Sequence, residues 1–436
     1  MSTLLKADKV LTLGADDAIY APGYVLVEGS RITAVGPAAD APPAGETVER
    51  GARLVMPGLV NAHTHSPMTL FRGLVEGQSL FTMKGWYNTI RVVEEVMDPA
   101  MIAPGVAVSC AEMIRTGTTT FADQYFWMDR IVPVVRQAGM RAALAYGIVE
   151  LGDPDARERE LAAATAFIES LQDDPLLNGW VGPHAFFVDN SEEAIALELA
   201  LADRFDTGLH FHLATGDEED RYCMEHYGRS AVQHMAATGI LDRRLLAAHG
   251  IAIPPEDFPT LAAHPFTIAV APSSALRNAT GFAPVKAMHD AGINLALGTD
   301  NVTTINSYDM FKEMQILGKM ATYQERTPNA LPTRAILEMA TMGGARALGL
   351  EDEIGSLESG KQAVLIALDL AEIGWAPANA QDEVTALVYS VTGQHVREVM
   401  IDGRWVYRAG EWLTLDYEQA RADLEAAYAE LQKRTR

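Results

Sequence analysis

Apolar residues along this 436-residue chain change their spacing twice. Near both ends they form short runs of period two bounded by turn residues, a pattern of paired strands. Tyr24-Val-Leu-Val-Glu28 and Arg31-Ile-Thr-Ala-Val35 flank Gly29-Ser30; Glu398-Val-Met-Ile401 and Arg404-Trp-Val-Tyr407 flank Asp402-Gly403. Each end therefore predicts a hairpin with a two-residue turn. A lone hairpin is marginal in water, so the two ends are expected to pair into one small β domain. Between them, from about 56 to 360, strand-like apolar runs alternate with helix-like stretches. Residues 118–122 follow a helical pattern over 106–115, and 141–148 follow one over 131–137. Repeated βα units predict parallel strands covered by helices, either as an open doubly wound sheet or as a closed barrel. The polar, Glu/Ala/Leu-rich stretch 416–436 predicts a surface helix.

Several apolar runs end in residues that bind metals. The run 54–60 leads into His63-Thr64-His65; 207–212 ends in His212, 245–249 in His249 and 293–300 in Asp300. Residues i and i+2 of a strand share a face, so His63 and His65 can point into one space as half of a metal site. His210 shares a face with His212 but lies farther from the strand end, so it is expected to support the site from behind. No Gly-rich phosphate-binding fingerprint follows the first strand, which argues against a dinucleotide fold. Polar residues at the ends of several separate strands favour the barrel, whose chemistry gathers at that end. Three histidines and one carboxylate are N and O donors suited to zinc or a similar divalent ion, with a position left for water.

Composition narrows the partners. Hydrophobic residues make up 48% and charged residues 21%, with no run of 18 apolar residues, so no membrane span is expected. The formal charge of −24 repels polyanions and excludes nucleic acid or an anionic membrane surface as the natural partner. A small-molecule substrate is expected instead. Residues 1–9 contain no continuous apolar stretch of the secretory type, and two cysteines cannot build a disulfide framework. Both features predict a reducing, cytoplasmic location.

The segments Met56-Pro-Gly-Leu-Val-Asn-Ala-His-Thr-His-Ser-Pro-Met68, Gly182-Pro-His184, His210-Phe-His212, Leu246-Ala-Ala-His249 and Gly298-Thr-Asp300 resemble the amidohydrolase superfamily. Within it, the chain looks most like the S-adenosylhomocysteine/5′-methylthioadenosine deaminases, with triazine hydrolases as further relatives. Met68-Thr-Leu-Phe-Arg-Gly73, Trp86, Glu95, Cys110-Ala-Glu-Met113 and Asp309-Met-Phe311 carry that closer likeness. The resemblance implies a distorted (β/α)8 barrel over 56–360 and a β-sandwich built from 1–55 and 361–436, the latter with the terminal helix. It implies that His63, His65, His212 and Asp300 hold one zinc or other divalent ion per chain. His249 would hydrogen-bond the bound water or the tetrahedral centre, and Asp300 would also shuttle the proton. His184 and Trp86 would contact substrate, and Glu95 would take ribose hydroxyls. The implied activity is hydrolytic deamination by attack of metal-bound hydroxide on a ring carbon of an adenine nucleoside. Relatives of this kind are often homo-oligomers.

One departure bears on the chemistry. These deaminases carry a glutamate three residues after the third metal histidine, where it protonates the ring nitrogen; here that position is Thr215. A threonine hydroxyl donates a hydrogen bond but is a poor acid at neutral pH, and general acid–base catalysis is typically worth roughly 10²–10⁴-fold. Either Asp217 or Glu218 swings in, or the substrate is a triazine-like or cyclic amide that needs no ring protonation, or the chain is a metal-retaining binding protein. Gly250-Ile-Ala252 and Ser273-Ser-Ala-Leu-Arg-Asn278 also depart from the relatives' pattern near the substrate.

Overall fold

In the computed structural model, which describes residues 2–81, 83–377 and 382–435, eight parallel strands form a barrel. They are β1 (Leu59–Thr64), β2 (Thr118–Tyr125), β3 (Arg141–Ile148), β4 (Leu177–Pro183), β5 (Leu209–Leu213), β6 (Leu245–His249), β7 (Phe266–Val270) and β8 (Asn294–Leu297). Each strand pairs in parallel with the next. Burial on both faces explains why these strands read as continuous apolar runs rather than alternating ones. Every residue of β1, β2, β6 and β7 is buried. Helices such as Ile102–Arg115, Met128–Ala138, Pro154–Glu169 and Glu192–Phe205 return the chain between strands and close the outer layer. Side-chain caps start two of them: Asp153 accepts from the Asp155 N–H and Ser191 from the Ala194 N–H.

The barrel is joined just beyond β8. The Asp300 N–H donates to the His63 carbonyl at 2.9 Å. Asn61 grips the same loop, its amide donating to the Thr299 hydroxyl at 2.8 Å and its carbonyl accepting the Thr299 N–H at 3.0 Å. This seam sets two of the expected metal residues, His63 and Asp300, side by side. Gly298 permits the approach, since a Cβ there would lie 2.8 Å from His63 Cβ and 3.0 Å from His63 N.

A second, nine-stranded sheet contains both ends of the chain. Ser2–Leu11 pairs in parallel with Glu46–Pro57, which pairs antiparallel with Leu365–Asp369. Both expected hairpins are present, as Gly23–Glu28 with Arg31–Pro37 and Val396–Ile401 with Arg404–Arg408. The expected terminal helix is Tyr417–Arg434, capped by Asp416. The apolar run 54–60 divides between two sheets: Glu46–Pro57 belongs to the terminal sheet, and β1 begins at Leu59. The break falls at Gly58, where Thr119 packs so tightly that a Cβ would lie 2.2 Å from its Oγ1. Among the described residues no helix is long and apolar enough to cross a membrane, and both cysteines are free and buried.

Gly298→Ala is expected to cost about 1–3 kcal/mol through overpacking at the seam, and to lower bound metal with it. Urea unfolding with metal analysis checks this; a variant as stable and as metal-rich as the parent would contradict a packed seam.

Candidate active site

At the open end of the barrel, each of three histidine rings is fixed through its Nδ1. His65 donates to the Gln124 carbonyl at 2.7 Å and His212 to the His184 carbonyl at 2.8 Å. A backbone carbonyl only accepts, so both rings carry their proton on Nδ1 and keep a lone pair on Nε2. His63 Nδ1 lies 2.8 Å from His210 Nε2. A lone pair on His63 Nε2 requires the proton on Nδ1, where His210 accepts it. Gln124 locks the arrangement from below, donating to the Pro183 and His210 carbonyls at 2.9 and 2.7 Å. Asp123 ties β1 to β2 by accepting from the Thr64 hydroxyl, the Ser66 N–H and the Ser66 hydroxyl, each at 2.7 Å.

Asp300 completes the cluster. Its Oδ1 lies 3.6 Å from His63 Nε2 and 3.4 Å from His65 Nε2. Asn301 donates to Oδ1 at 2.9 Å, and the Ser274 hydroxyl donates to Oδ2. Ligand atoms of His63, His65 and His212 lie within 4.8 Å of one another, as do those of His63, His249 and Asp300. His63 Nε2 is buried with no hydrogen-bond partner among the described residues. A buried nitrogen left unpaired beside a carboxylate and two more lone pairs fits a divalent cation, and the N/O donor set suits zinc. His249 and Asp300 both adopt left-handed backbone, with φ of 80° and 66°. That conformation is uncommon for side-chain-bearing residues and tends to collect at functional sites.

Charge follows burial. Desolvation lowers the pKa of His63 and drives those of His210 and His212 well below the usual range; it brings His249 down to about 3. For His65, desolvation is outweighed by Asp300, and the pKa rises. Burial also disfavours the charged form of Asp300, yet the close approach of His63 and His65 and the field of His249 win and hold its carboxyl well below normal. The cluster is thus mainly neutral imidazole around one carboxylate, the protonation state a cation needs.

A cavity opens beside the cluster, with about 980 Å³ of empty space including its mouth. This is at the upper end of the roughly 300–1,000 Å³ common for small-molecule sites. His65, Trp86, His184, His212, Thr215, His249 and Asp300 all line it. His184 is oriented by Asp189, which accepts from its Nδ1. The Trp86 ring, expected to face substrate, stacks on His184 with centroids 5.1 Å apart. Glu95 is not in the wall: it is exposed, and its neighbour Glu94, 4% exposed, takes the place. These residues follow the π-helical turn Tyr87–Arg91, and such a turn shifts the register of the residues after it. Asp217 does not turn inward either; it is exposed and pairs with Arg221 at 3.2 Å. Glu218 lines the wall, half-buried, together with Glu219.

Glu219 stands outside the expected set. It is 3% exposed, accepts from the Ala214 N–H at 3.1 Å, and burial pushes its carboxyl up to about 8. It therefore carries a proton at neutral pH. The only sequence signal for it was a run of four acidic residues, 217–220, at a helix start, where carboxylates are common caps.

The amidohydrolase family model matches residues 54–406. The chain is 34% identical over 427 residues to the 5-methylthioadenosine/S-adenosylhomocysteine deaminase of Pelotomaculum thermopropionicum, covering 97% of each. Among solved structures it is similar to an adenosine deaminase from Xanthomonas campestris with bound zinc, with TM-score 0.92, 31% identity, and coverage of 99% of this chain and 98% of that one. Atrazine chlorohydrolase from Arthrobacter aurescens, complexed with zinc, shares the fold at TM-score 0.88 and 21% identity, over 98% of this chain and 100% of that one.

Glu219 also generates a pH signature. Its folded pKa lies above the unfolded value, so the unfolded chain ionises first as pH rises, and stability falls from about pH 4.5 to about 8. Glu219→Gln cannot ionise; its melting temperature relative to the parent is expected to climb across that window and level off above it. A pH-independent difference would contradict the buried, protonated carboxyl.

Proposed function

The chain belongs to the amidohydrolase family, a hydrolytic enzyme acting on C–N bonds, and from that premise we propose that it deaminates an N-heteroaromatic amine with the help of one divalent ion. The first substrates are adenine nucleosides such as 5′-methylthioadenosine and S-adenosylhomocysteine. The observation that carries this reading is the convergence of His63, His65, His212, His249 and Asp300 beside an open cavity. His63, His65, His212 and Asp300 would hold the ion, with zinc the best match to the donors. Such an ion supplies Lewis acidity, lowering the pKa of water from about 15.7 to about 7.

Water adds to the ring carbon bearing the amine, and the C=N electron pair moves onto the ring nitrogen, which takes a proton. Asp300 accepts one proton from the water and passes it to the amine, which leaves as ammonia. His249, neutral at working pH, hydrogen-bonds the added oxygen. His184 hydrogen-bonds the ring, with Trp86 packed behind it, and Glu94 takes the role toward ribose hydroxyls first expected of Glu95. Thr215 hydrogen-bonds the ring nitrogen. Its hydroxyl is too weak an acid to protonate that atom, whereas Glu219 brings a carboxyl protonated up to about pH 8 to the same wall. We assign the ring proton to Glu219; it is recovered from the added hydroxyl when the product settles in its keto form. Thr215 favours one alternative, hydrolysis of a triazine-like or cyclic amide substrate that needs no ring proton.

Ammonia release from 5′-methylthioadenosine is expected to vanish on chelation and to return with zinc; turnover indifferent to a chelator would sink the scheme. Glu219→Gln is expected to lower adenine-type turnover by roughly 10²-fold or more, measured as ammonia release under single-turnover conditions. An unchanged rate would overturn the assignment of the ring proton to Glu219.

A further inference from the structure

A chain of hydrogen bonds runs through the helix Pro272–Asn278, and the chemistry of each atom dictates its direction. The Leu80 N–H donates to Asn278 Oδ1 at 2.6 Å. A backbone amide only donates, so the orientation of the Asn278 amide is settled. Its Nδ2 donates to the Ser274 carbonyl at 2.9 Å and to the Ser274 hydroxyl at 3.3 Å. That hydroxyl keeps its own proton for Asp300 Oδ2. Ser274, Asn278 and Asp300 are all buried. Leu80 and Asp300, at the two ends of the chain, line the cavity, whereas Ser274 and Asn278 do not. Glu313 anchors the start of the helix by accepting the Ser273 N–H at 2.9 Å.

The segment 72–81 at the other end of this chain is fastened to the loop after β8. Gly73 and Val75 give their N–H groups to the Val302 and Thr303 carbonyls at 3.2 and 3.3 Å. Arg277 bridges the same two segments, reaching Glu76 at 2.6 Å and the Thr304 carbonyl at 3.2 Å. Phe81 then sets its ring 4.5 Å from that of His249. One short segment thus touches His249 directly and Asp300 through two side chains. We propose that Ser274 and Asn278 are positioning residues that couple the seating of segment 72–81 to the orientation of Asp300. The inference rests on the deaminase reading above, in which Asp300 moves the proton. Asn301 holds Oδ1 and Ser274 holds Oδ2, so turning the carboxylate breaks two charge-assisted hydrogen bonds. In a buried chain each bond polarises the next, and Leu80 strengthens the hold on Asp300 from a distance. When the segment lifts, Asn278 loses its acceptor role, its grip on Ser274 weakens, and the carboxylate is freed.

The test compares the parent with Ser274→Ala, Asn278→Leu and the double variant. Ser274→Ala removes a single atom and Asn278→Leu keeps the branched shape, so the packing is retained. Two readouts are taken: steady-state ammonia release from 5′-methylthioadenosine by zinc-loaded protein, and hydrogen exchange over 72–81 with and without zinc. Each single variant is expected to lower kcat by roughly tenfold or more while KM changes by less than about threefold. The double variant is expected to be no slower than Ser274→Ala, because the two residues act in series. Zinc is expected to slow exchange over 72–81 in the parent and to lose most of that effect in Ser274→Ala, since coupling between two sites is reciprocal. Losses that multiply in the double variant, or an equal zinc effect in parent and Ser274→Ala, overturn the inference. A parent that releases no ammonia overturns the deaminase reading instead, and the zinc effect on exchange then decides the inference by itself.

Discussion

The site depends on one constraint: each metal-facing imidazole is held by its far nitrogen. His65 and His212 give their Nδ1 protons to backbone carbonyls, and His63 gives its own to His210. A carbonyl cannot donate, so the tautomer is decided by the fold and needs no selection by the ion. The rings are pre-set, and their Nε2 lone pairs converge in a dry space where repulsion between them is relieved only by a cation. Gln124 is central here. Its carbonyl holds His65 while its side chain spans to β4 and β5, so one residue couples three strands to the site.

Burial then sorts the ionisable groups into two roles. Four imidazoles, those of His63, His210, His212 and His249, are pushed toward the neutral form because desolvation opposes charge, which leaves them free as ligands or hydrogen-bond partners. Carboxyls split. Asp300, in the field of the histidine cluster, stays charged, while Glu219, desolvated by burial and beside other acids, stays protonated. Two carboxyls on one wall thus differ in charge, a pairing that the proposed deamination would use as base and acid.

Much of the architecture was legible from residue spacing. Hairpins at both ends, βα repeats between them and polar residues at strand ends follow from period-two and period-3.6 patterns, which local backbone geometry imposes. That His63, His65, His212 and Asp300 gather at one end of the barrel was legible because each lies at or just beyond the end of an apolar run. The position of His210 followed in the same way, since alternation and distance from the strand end place it behind His212. Two things were not legible. Glu94 and Glu95 are adjacent acids, and which one faces inward depends on helix register just after a π-helical turn. Glu219 lies in an acidic helix start that is indistinguishable, as a string of letters, from an ordinary solvated cap.

What the sequence determined by itself is therefore the chemistry on offer: donor types, their order along β1, β5, β6 and β8, and the loss of a carboxylate at Thr215. Tertiary structure alone decided how that chemistry is used. Closure of the seam brings His63 beside Asp300, 237 positions later. Burial sets the charge state of each group, and helix register chooses which acid lines the cavity. These outcomes depend on distance and dielectric, which arise only when remote segments pack together.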